Sequence, residues 1–263
     1  KIRYPGFFIL FGLIIASFYI IPPFREYNIE YEGYEIERIY NQDIYNYTAR
    51  RNTILENGEH GGVVGQICRI FNNNSDINEA PIYRMIDVIE TQEDTYDFKL
   101  IQIVRLLYMD KSTSFLSEEV ELALNNTLLN TKYWITEPGY DEAIFWTENH
   151  QLLFHTSELL AGQLFPHRIF NNSGMTGRDH IKNAEHYINR WMEIRAAIGF
   201  TEWHSNDYIE PIINCMINLV DYAENQNIAI RAHMFLDLIT FDFANNFYRA
   251  ELGCAQGRTY DRT

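Results

Sequence analysis

Cysteines and basic residues are both scarce in this chain, and each shortage removes a class of function. Only three cysteines, Cys68, Cys215 and Cys254, occur among 263 residues, and no two of them form a CxxC pair. A zinc site built on cysteines is therefore not expected. One disulfide can form if the compartment is oxidising, but three buried structural cysteines are the simpler interpretation.

The shortage of basic residues leaves the chain strongly acidic. There are 21 Lys and Arg against 36 Asp and Glu, which gives a formal net charge of −15 at pH 7. We expect no nucleic-acid partner, because phosphate binding requires a basic surface. A strongly polyanionic substrate is also disfavoured unless the few arginines converge on one cleft.

Several short motifs are missing as well. The chain has no GxSxG, which argues against an ordinary serine esterase. His180 and His186 lack the i,i+4 spacing of two metal ligands on one helix, and the glycine-rich stretches lack a strand–loop–helix setting. We therefore predict no metal site and no cofactor.

The N-terminal segment carries the longest apolar run. No residue from Tyr4 to Phe24 is charged, and Pro22 and Pro23 end any helix near Ile21. A helix over Pro5–Ile21 would be about 25 Å long, short for a hydrocarbon core of about 30 Å. We predict an uncleaved anchor within residues 1–24. A cleaved signal peptide and a buried core helix are the alternatives.

Charge flanking this run predicts the topology. Two basic residues precede it and an acidic segment follows it, which places the body on the lumenal or extracellular side. The mitochondrial inner membrane is an alternative location. Glycosylation then becomes relevant, and Asn-x-Ser/Thr occurs at four positions, which are Asn46, Asn73, Asn125 and Asn171.

Beyond the anchor, the pattern predicts an all-α protein. Residues 25–95 are interpreted as an irregular region of loops and short helices. From about Tyr96 the apolar spacing is helical, and short connections predict antiparallel hairpins over 96–263. The expected helices are Phe98–Met109, a helix from the N-cap Ser117 to Trp134, Trp146–Phe165, a helix from the cap at Thr176 to Ile198, a helix from Ser205 or Asn206 to Glu224, and Ile228–Tyr248.

Two segments carry candidate chemistry. Residues 146–165 (WTENHQLLFHTSELLAGQLF) place His150 on an apolar stripe with Trp146, and Asn149 beside it. Residues 199–208 (GFTEWHSNDY) form a polar loop between two helices, where sites are often built. A hydrogen-bonded core histidine and a simple capping cluster are the alternatives. The candidate residues are Asn149, His150, Arg195, Glu202, Trp203, His204 and Tyr208.

ENHQLLFHTSELLAGQLFP and GFTEWHSNDY together resemble the heparinase II/III and alginate-lyase superfamily, over about residues 145–245. The resemblance implies an (α/α) toroid, here a partial one, that cleaves uronic-acid polysaccharides by β-elimination. It assigns Asn149 to neutralise the uronate, His150 to act as base or charge partner, and Tyr208 to protonate the leaving oxygen. Glu202 would orient neighbouring groups. A degenerate relative that only binds glycans is included in this expectation.

Two other functions remain open. One is a membrane-tethered helical subunit that binds other proteins and has no chemistry. The other is an inverting glycoside hydrolase that uses two carboxylates from Asp141, Glu142, Glu148 and Glu202. A lyase requires its three candidate groups around one cleft, whereas a subunit should expose apolar patches.

Overall fold

Helices account for most of the residues described by this computed structural model, which are 47–59, 61–248 and 251–259. Within these ranges a two-residue hairpin, β1 (Phe247–Tyr248) and β2 (Glu251–Leu252), follows the last helix. The all-α class is confirmed. The helices are α1 (Tyr47–Gly58), α2 (Gly62–Phe71), α3 (Ala80–Thr91), α4 (Asp97–Thr113), α5 (Glu118–Asn130), α6 (Glu148–Leu164), α7 (Gly177–Ile198), α8 (Ile209–Tyr222) and α9 (Gln226–Asn246).

Three predicted capping residues mark helix ends, whereas the predicted N-cap at Ser205 or Asn206 is wrong, because α8 begins at Ile209 after Tyr208. The Ser117 side chain accepts the backbone N–H of Val120 at the start of α5. Thr176 and Asp179 form a reciprocal capping box at the start of α7. Gly199 ends α7 with a φ of +80°, a left-handed conformation that glycine adopts without strain.

Other predicted boundaries are also wrong, and α4 continues past the predicted end at Met109 to Thr113. Helix α5 ends at Asn130 instead of Trp134, since Thr131 is extended and the Lys132 carbonyl accepts the Tyr96 hydroxyl at 2.5 Å. Trp146 lies before α6 and is 59% exposed, so it is not part of an inward stripe. The final helix stops at Asn246, because the chain continues into β1.

The segment before Tyr96 shares its core with the helices that follow. Described residues there form α1, α2 and α3, each 10 to 12 residues long. Val63 of α2 and Ile82 of α3 belong to the same buried cluster as Leu100 of α4 and Leu124 of α5. Described residues on both sides of position 95 therefore contribute to one core.

Helix α6 is the central element, and 15 of its 17 residues are buried. Phe154 and Leu160 join the cluster of α2–α5, while Leu152 and Leu159 join a second cluster with α7, α8 and α9. A helix covered on nearly every side must also bury its polar residues. Each of those residues then needs a partner, because an unpaired buried polar group is costly.

The contacts around α6 set the direction of its neighbours. Trp191 near the end of α7 donates to the Glu148 carbonyl at the start of α6, and Gly177 at the start of α7 meets Gly162 near the end of α6. The two helices are therefore antiparallel. A Cβ on Gly177 would lie 2.8 Å from the Gly162 carbonyl oxygen, so only glycine permits this approach.

None of the helices within the described ranges combines the length and the apolar character that crossing a bilayer demands. The predicted anchor, residues 5–21, lies outside the described residues, as does the glycosylation candidate Asn46. Of the other three candidates, Asn73 and Asn171 are exposed and Asn125 is half-buried. Glycosylation at these positions stays a prediction.

Candidate functional site

The loop 199–208 is attached to the first turn of α6 by the Glu202 carboxylate. Asn149 donates its backbone N–H to Glu202 Oε2 at 3.1 Å. The Asn149 carboxamide nitrogen also lies 2.8 Å from Oε1 and 2.9 Å from Oε2 of the same group. Asn149 is 0% and Glu202 4% exposed. The structure thus brings together two predicted site residues that are 53 positions apart.

The position of this carboxylate follows from helix electrostatics. The first backbone N–H groups of α6 lack partners within the helix, and the helix dipole favours negative charge there. Thr147 is the N-cap, but its side chain makes no capping hydrogen bond. Glu202 takes over that function from a distant part of the chain. Asn149 is consequently engaged at both of its donor groups, although its carbonyl oxygen is buried without a partner.

Glu148, at the first position of α6, forms a second connection to the same loop. Its Oε2 accepts the backbone N–H of Thr201 at 2.5 Å and also the Thr201 hydroxyl. Arg195 Nε lies 3.4 Å from Oε2, which is an ion pair without hydrogen-bond geometry. Burial raises the pKa of Glu148 and lowers the pKa of Arg195, while their mutual attraction opposes both shifts. Arg195 therefore faces a protein carboxylate.

His150 is paired with a carboxylate that sequence reasoning did not single out. Its Nδ1 lies 2.6 Å from Oδ2 of Asp97, and both side chains are buried. Burial raises the pKa of Asp97, and the hydrogen bond from His150 opposes that rise. A carboxylate on Nδ1 holds the imidazole so that Nε2 can carry the lone pair, the tautomer a general base needs.

Tyr208 completes the group from the other end of the loop. It is half-buried, and the Arg258 guanidinium lies 3.8 Å from the centre of its ring. Arg258 Nη1 also donates to Glu202 Oε1 at 2.8 Å. A hydrogen-bonded and stacked series therefore runs from Asn149 through Glu202 and Arg258 to Tyr208.

His204 and Trp203 take part in other contacts. His204 is bound by Asp242 and Cys254, and its backbone has a φ of +52°. Trp203 is 41% exposed, and its carbonyl accepts the N–H of Gly257 at 2.8 Å. Both residues thus face the segment that follows β2. A role for either in binding substrate stays a prediction.

The carboxylates considered for a hydrolase are divided between two places. Asp141 Oδ2 lies 2.5 Å from the Lys132 ammonium, and Glu142 accepts the Tyr140 hydroxyl at 2.5 Å. Glu148 of α6 and Glu202 of the loop 199–208 both lie where that loop is attached to the first turn of α6.

A separate set of possible metal ligands lies toward the end of α6. Among the described residues, oxygen or nitrogen atoms of Glu137, Glu158 and His180 lie within 4.8 Å of one another. Glu158 Oε1 binds His180 Nδ1 at 2.8 Å, and its Oε2 binds His155 Nδ1 at 2.9 Å. His180 Nε2 is already 2.8 Å from the Ser173 hydroxyl. These hydrogen bonds satisfy the cluster as a protein network.

One hollow of about 290 Å³ lies beside α4 and α5. Asp110, Lys111 and Ser114 line it on one side, and Glu121 and Phe165 are among the residues on the other. It is not lined by Asn149, His150 or Tyr208. The candidate catalytic groups are therefore at a different place from this hollow.

Sequence reasoning missed two members of the site, Asp97 and Arg258. Asp97 is the first residue of α4, where an acidic side chain is normally explained by the helix dipole. Its 0% exposure could not be foreseen from that position. Arg258 lies after the last helix, in a segment without periodic pattern. One indication of Arg258 was present in the sequence: because basic residues are few, an anionic ligand would have to be bound by one of them.

No family model, no curated protein and no solved structure matches this chain. The resemblance over residues 145–245 accordingly rests on the two motifs alone.

Proposed function

We propose that this chain is a carbohydrate-active domain that cleaves uronic-acid glycans by β-elimination. The observation that supports the proposal most is the series Asn149–Glu202–Arg258–Tyr208, with His150, bound to Asp97 of α4, next to Asn149 in the first turn of α6. The segments that carry the resemblance thus supply a carboxamide and a phenol to one series of contacts, and an imidazole to the neighbouring position of α6.

In the proposed reaction, His150 Nε2 removes the proton on the carbon next to the uronate carboxylate. The electron pair forms a carbon–carbon double bond, and the bond to the glycosidic oxygen breaks. Tyr208 donates its hydroxyl proton to that oxygen. Asp97 keeps the imidazole in the required tautomer and stabilises the imidazolium that forms. Neutralisation of the uronate lowers the cost of the negative charge that develops.

The structure bears on which group neutralises the uronate. Asn149 and His150 are 0% and 3% exposed, so contact of either residue with a glycan requires the loop 199–208 to move off α6, which breaks the hydrogen bonds from Asn149 to Glu202. Arg258 is more accessible, because its side chain is 32% exposed beside Tyr208. We propose that Arg258 meets the carboxylate first and that displacement of Glu202 then gives Asn149 access.

A direct test is the appearance of unsaturated uronate. Purified protein is incubated with a panel of uronic-acid polymers, and absorbance in the unsaturated-uronate band is followed. Tyr208→Phe and His150→Gln should each lower the rate about 10²- to 10⁴-fold, as loss of a general acid or base does. Tyr140→Phe is the matched control, since Tyr140 is 78% exposed and bonded only to a surface carboxylate among the described contacts.

The outcomes separate the proposal from its competitors. An absorbance signal that persists in Tyr208→Phe at the wild-type rate removes Tyr208 from the mechanism. Absence of signal on every polymer, with wild-type protein correctly folded by circular dichroism, removes the lyase. Reducing sugar released without absorbance would instead point to hydrolysis by Glu148 and Glu202.

One observation favours the non-catalytic subunit as a second candidate. Four apolar side chains project from one face of α9 at helical spacing and are 40–67% exposed, namely Ile230, Met234, Leu238 and Phe241. We propose a second copy of this chain as the partner of that face. Analytical ultracentrifugation should then show a dimer that Leu238→Asp dissociates, whereas a monomeric wild-type chain removes a second copy as the partner of this face.

The proposal also includes three expectations that are supported only by the sequence. They are an anchor over residues 5–21, a lumenal or extracellular body and a partial (α/α) toroid. Sugar on Asn73, Asn125 or Asn171, found by mass spectrometry after expression in a glycosylating host, supports that topology.

A further inference from the structure

A thiol, an imidazole and a carboxylate lie in series at the other side of the loop 199–208. Cys254 Sγ is 3.0 Å from His204 Nδ1, and His204 Nε2 is 2.6 Å from Asp242 Oδ2. These residues come from the segment after β2, from the loop and from the last turns of α9. Cys254 is a free, half-buried thiol, and the Asp242 side chain is 52% exposed.

The distances determine the direction of proton transfer. The carboxylate accepts a hydrogen bond, so Nε2 of His204 carries the proton, and the Asn246 amide at 3.4 Å is the weaker contact. Nδ1 then has a lone pair directed at the Cys254 sulfur. A thiol hydrogen-bonded to such a base, which is itself oriented by a third group, has the arrangement of an activated nucleophile.

Among the described residues, the charged group in contact with the His204 ring is the Asp242 carboxylate. The groups that contact the His204 ring are Asp242, Asn246 and Cys254, together with the aromatic rings of Trp203 and Phe243. The Asp242 charge stabilises an imidazolium, and the imidazolium in turn stabilises a thiolate.

The backbone of His204 is held in an uncommon conformation. Its φ of +52° is in the left-handed region, which costs free energy for a residue with a side chain. Contacts on both sides hold it there, since the loop is attached to α6 through Glu202 and the Trp203 carbonyl accepts the N–H of Gly257.

A metal site is a poor explanation for these three residues. Sulfur and carboxylate bind opposite nitrogens of one imidazole, so a single ion cannot contact all three ligand atoms. The cluster accordingly differs from the Glu137, Glu158 and His180 group, whose ligand atoms converge.

We propose that Cys254, His204 and Asp242 form a nucleophilic thiol site that accepts an acyl group from an activated ester or thioester. This site is separate from the His150–Tyr208 group and does not depend on lyase activity. The thiol proton moves to His204 Nδ1, and the sulfur attacks the acyl carbon to form a carbon–sulfur bond. The bond to the leaving group breaks, and that group takes the proton from His204, which leaves acyl-Cys254.

The first test compares the three cysteines of the wild-type protein. The rate of iodoacetamide labelling is measured by peptide mass spectrometry from about pH 5.5 to about pH 9, a range that includes the ordinary thiol pKa of about 8.5. Near pH 6.5 a thiol hydrogen-bonded to an imidazole that can take its proton should react about tenfold faster than a thiol without such a base. We expect that advantage for Cys254.

Cys68 and Cys215 are internal references for this experiment. Burial and the nearby Glu59 raise the pKa of Cys68, and burial raises that of Cys215. Both should react slowly and only at high pH. If Cys254 follows the same pH profile as Cys68, the proposal is overturned without recourse to any variant.

Two variants then isolate the partners. His204→Asn removes the imidazole while asparagine tolerates the left-handed backbone, and Asp242→Asn removes the charge at constant size. The low-pH reactivity of Cys254 should disappear in the first and weaken in the second. Unchanged reactivity in His204→Asn would show that the imidazole does not activate the sulfur.

The acyl class is tested with p-nitrophenyl acetate. Wild-type protein should release a burst of p-nitrophenol and carry one acetyl group on Cys254 by mass spectrometry, and Cys254→Ser should lose both the burst and that acetyl-cysteine. A thiol that is alkylated rapidly but never acetylated would overturn the acyl assignment.

Discussion

Replacement of Glu202 by alanine is expected to destabilise the protein more than any surface carboxylate substitution. The Glu202 carboxylate accepts the backbone N–H of Asn149, both contacts of the Asn149 amide, and Arg258. Because Asn149 is 0% exposed, its backbone N–H loses its partner and its amide keeps only the 3.4 Å contact with Thr147 Oγ1, without full access to water.

The magnitude follows from the groups left without partners. Each buried donor without an acceptor costs about 1–3 kcal/mol, so the two donors of Asn149 give about 2–6 kcal/mol. Arg258 adds little, because its side chain is 32% exposed and water can replace the carboxylate. Water entering the space left by the side chain lowers the total. We expect about 3 kcal/mol for Glu202→Ala and about half of that for Glu202→Gln, which retains one acceptor oxygen.

The assay is urea unfolding followed by circular dichroism, with Glu210→Ala as the control. Glu210 is exposed in the first turn of α8, so its replacement should change the unfolding free energy by only about 0.5 kcal/mol. A double-mutant cycle with Asn149→Ala should give a coupling of about 1–3 kcal/mol. The reasoning is refuted if Glu202→Ala and Glu210→Ala unfold at the same urea concentration.

Three further changes test other parts of the structure by the same unfolding measurement. Gly177→Ala should cost about 1–3 kcal/mol or more, since its new Cβ would lie 2.7 Å from the Phe165 carbonyl carbon. Thr176→Ala should cost about 1 kcal/mol through loss of the capping box. Burial acts to raise the pKa of Glu158, but hydrogen bonds from two histidines and Asn183 hold that pKa below its ordinary value of 4.5. The stabilisation by Glu158 is therefore present above pH 4.5 and is lost as the pH falls through the folded-state pKa. The difference in unfolding free energy between wild type and Glu158→Gln should shrink below that pH.

Each of these predictions has its own contradicting result. Gly61→Ala is the control for the glycine, because a Cβ there would meet only an ordinary contact at 3.5 Å. Equal stability of the two alanine variants would mean that the helices α6 and α7 can separate at no cost. A Glu158→Gln variant that loses stability equally at pH 3.5 and pH 7 would show that ionisation of Glu158 makes no contribution. If Thr176→Ala leaves the unfolding free energy unchanged, then tertiary packing, and not the capping box, determines where α7 begins.

Local signals in the sequence were sufficient for the all-α class and for several helix ends. Ser117, Thr176 and Gly199 mark helix ends through interactions with their own neighbours in the chain, which a sequence shows directly. Trp146 was predicted to be buried because its spacing fits the inward stripe of α6. Periodicity alone could not show that the helix begins after Trp146 and that this side chain is exposed. Asn130 ends α5 for a tertiary reason, the contact of the following segment with Tyr96.

The candidate site could be predicted only where residue type carried the information. Asn149, His150 and Tyr208 were selected because amides, imidazoles and phenols transfer protons or bind charge. Their partners Asp97 and Arg258 are defined by contacts across 53 and 56 positions, and no local pattern encodes such distances. The serial arrangement of Cys254 and His204 was invisible for the same reason.

The dependence of the loop 199–208 on the segment 251–259 has a consequence for biosynthesis. Arg258 neutralises Glu202 and Gly257 binds Trp203, yet the ribosome makes those residues more than fifty positions after Glu202 and Trp203. During translation α6 and α7 can associate while the loop still has an uncompensated carboxylate. The contacts of Arg258 and Gly257 with the loop can therefore form only after the segment 251–259 has been synthesised, so they complete the site last during translation.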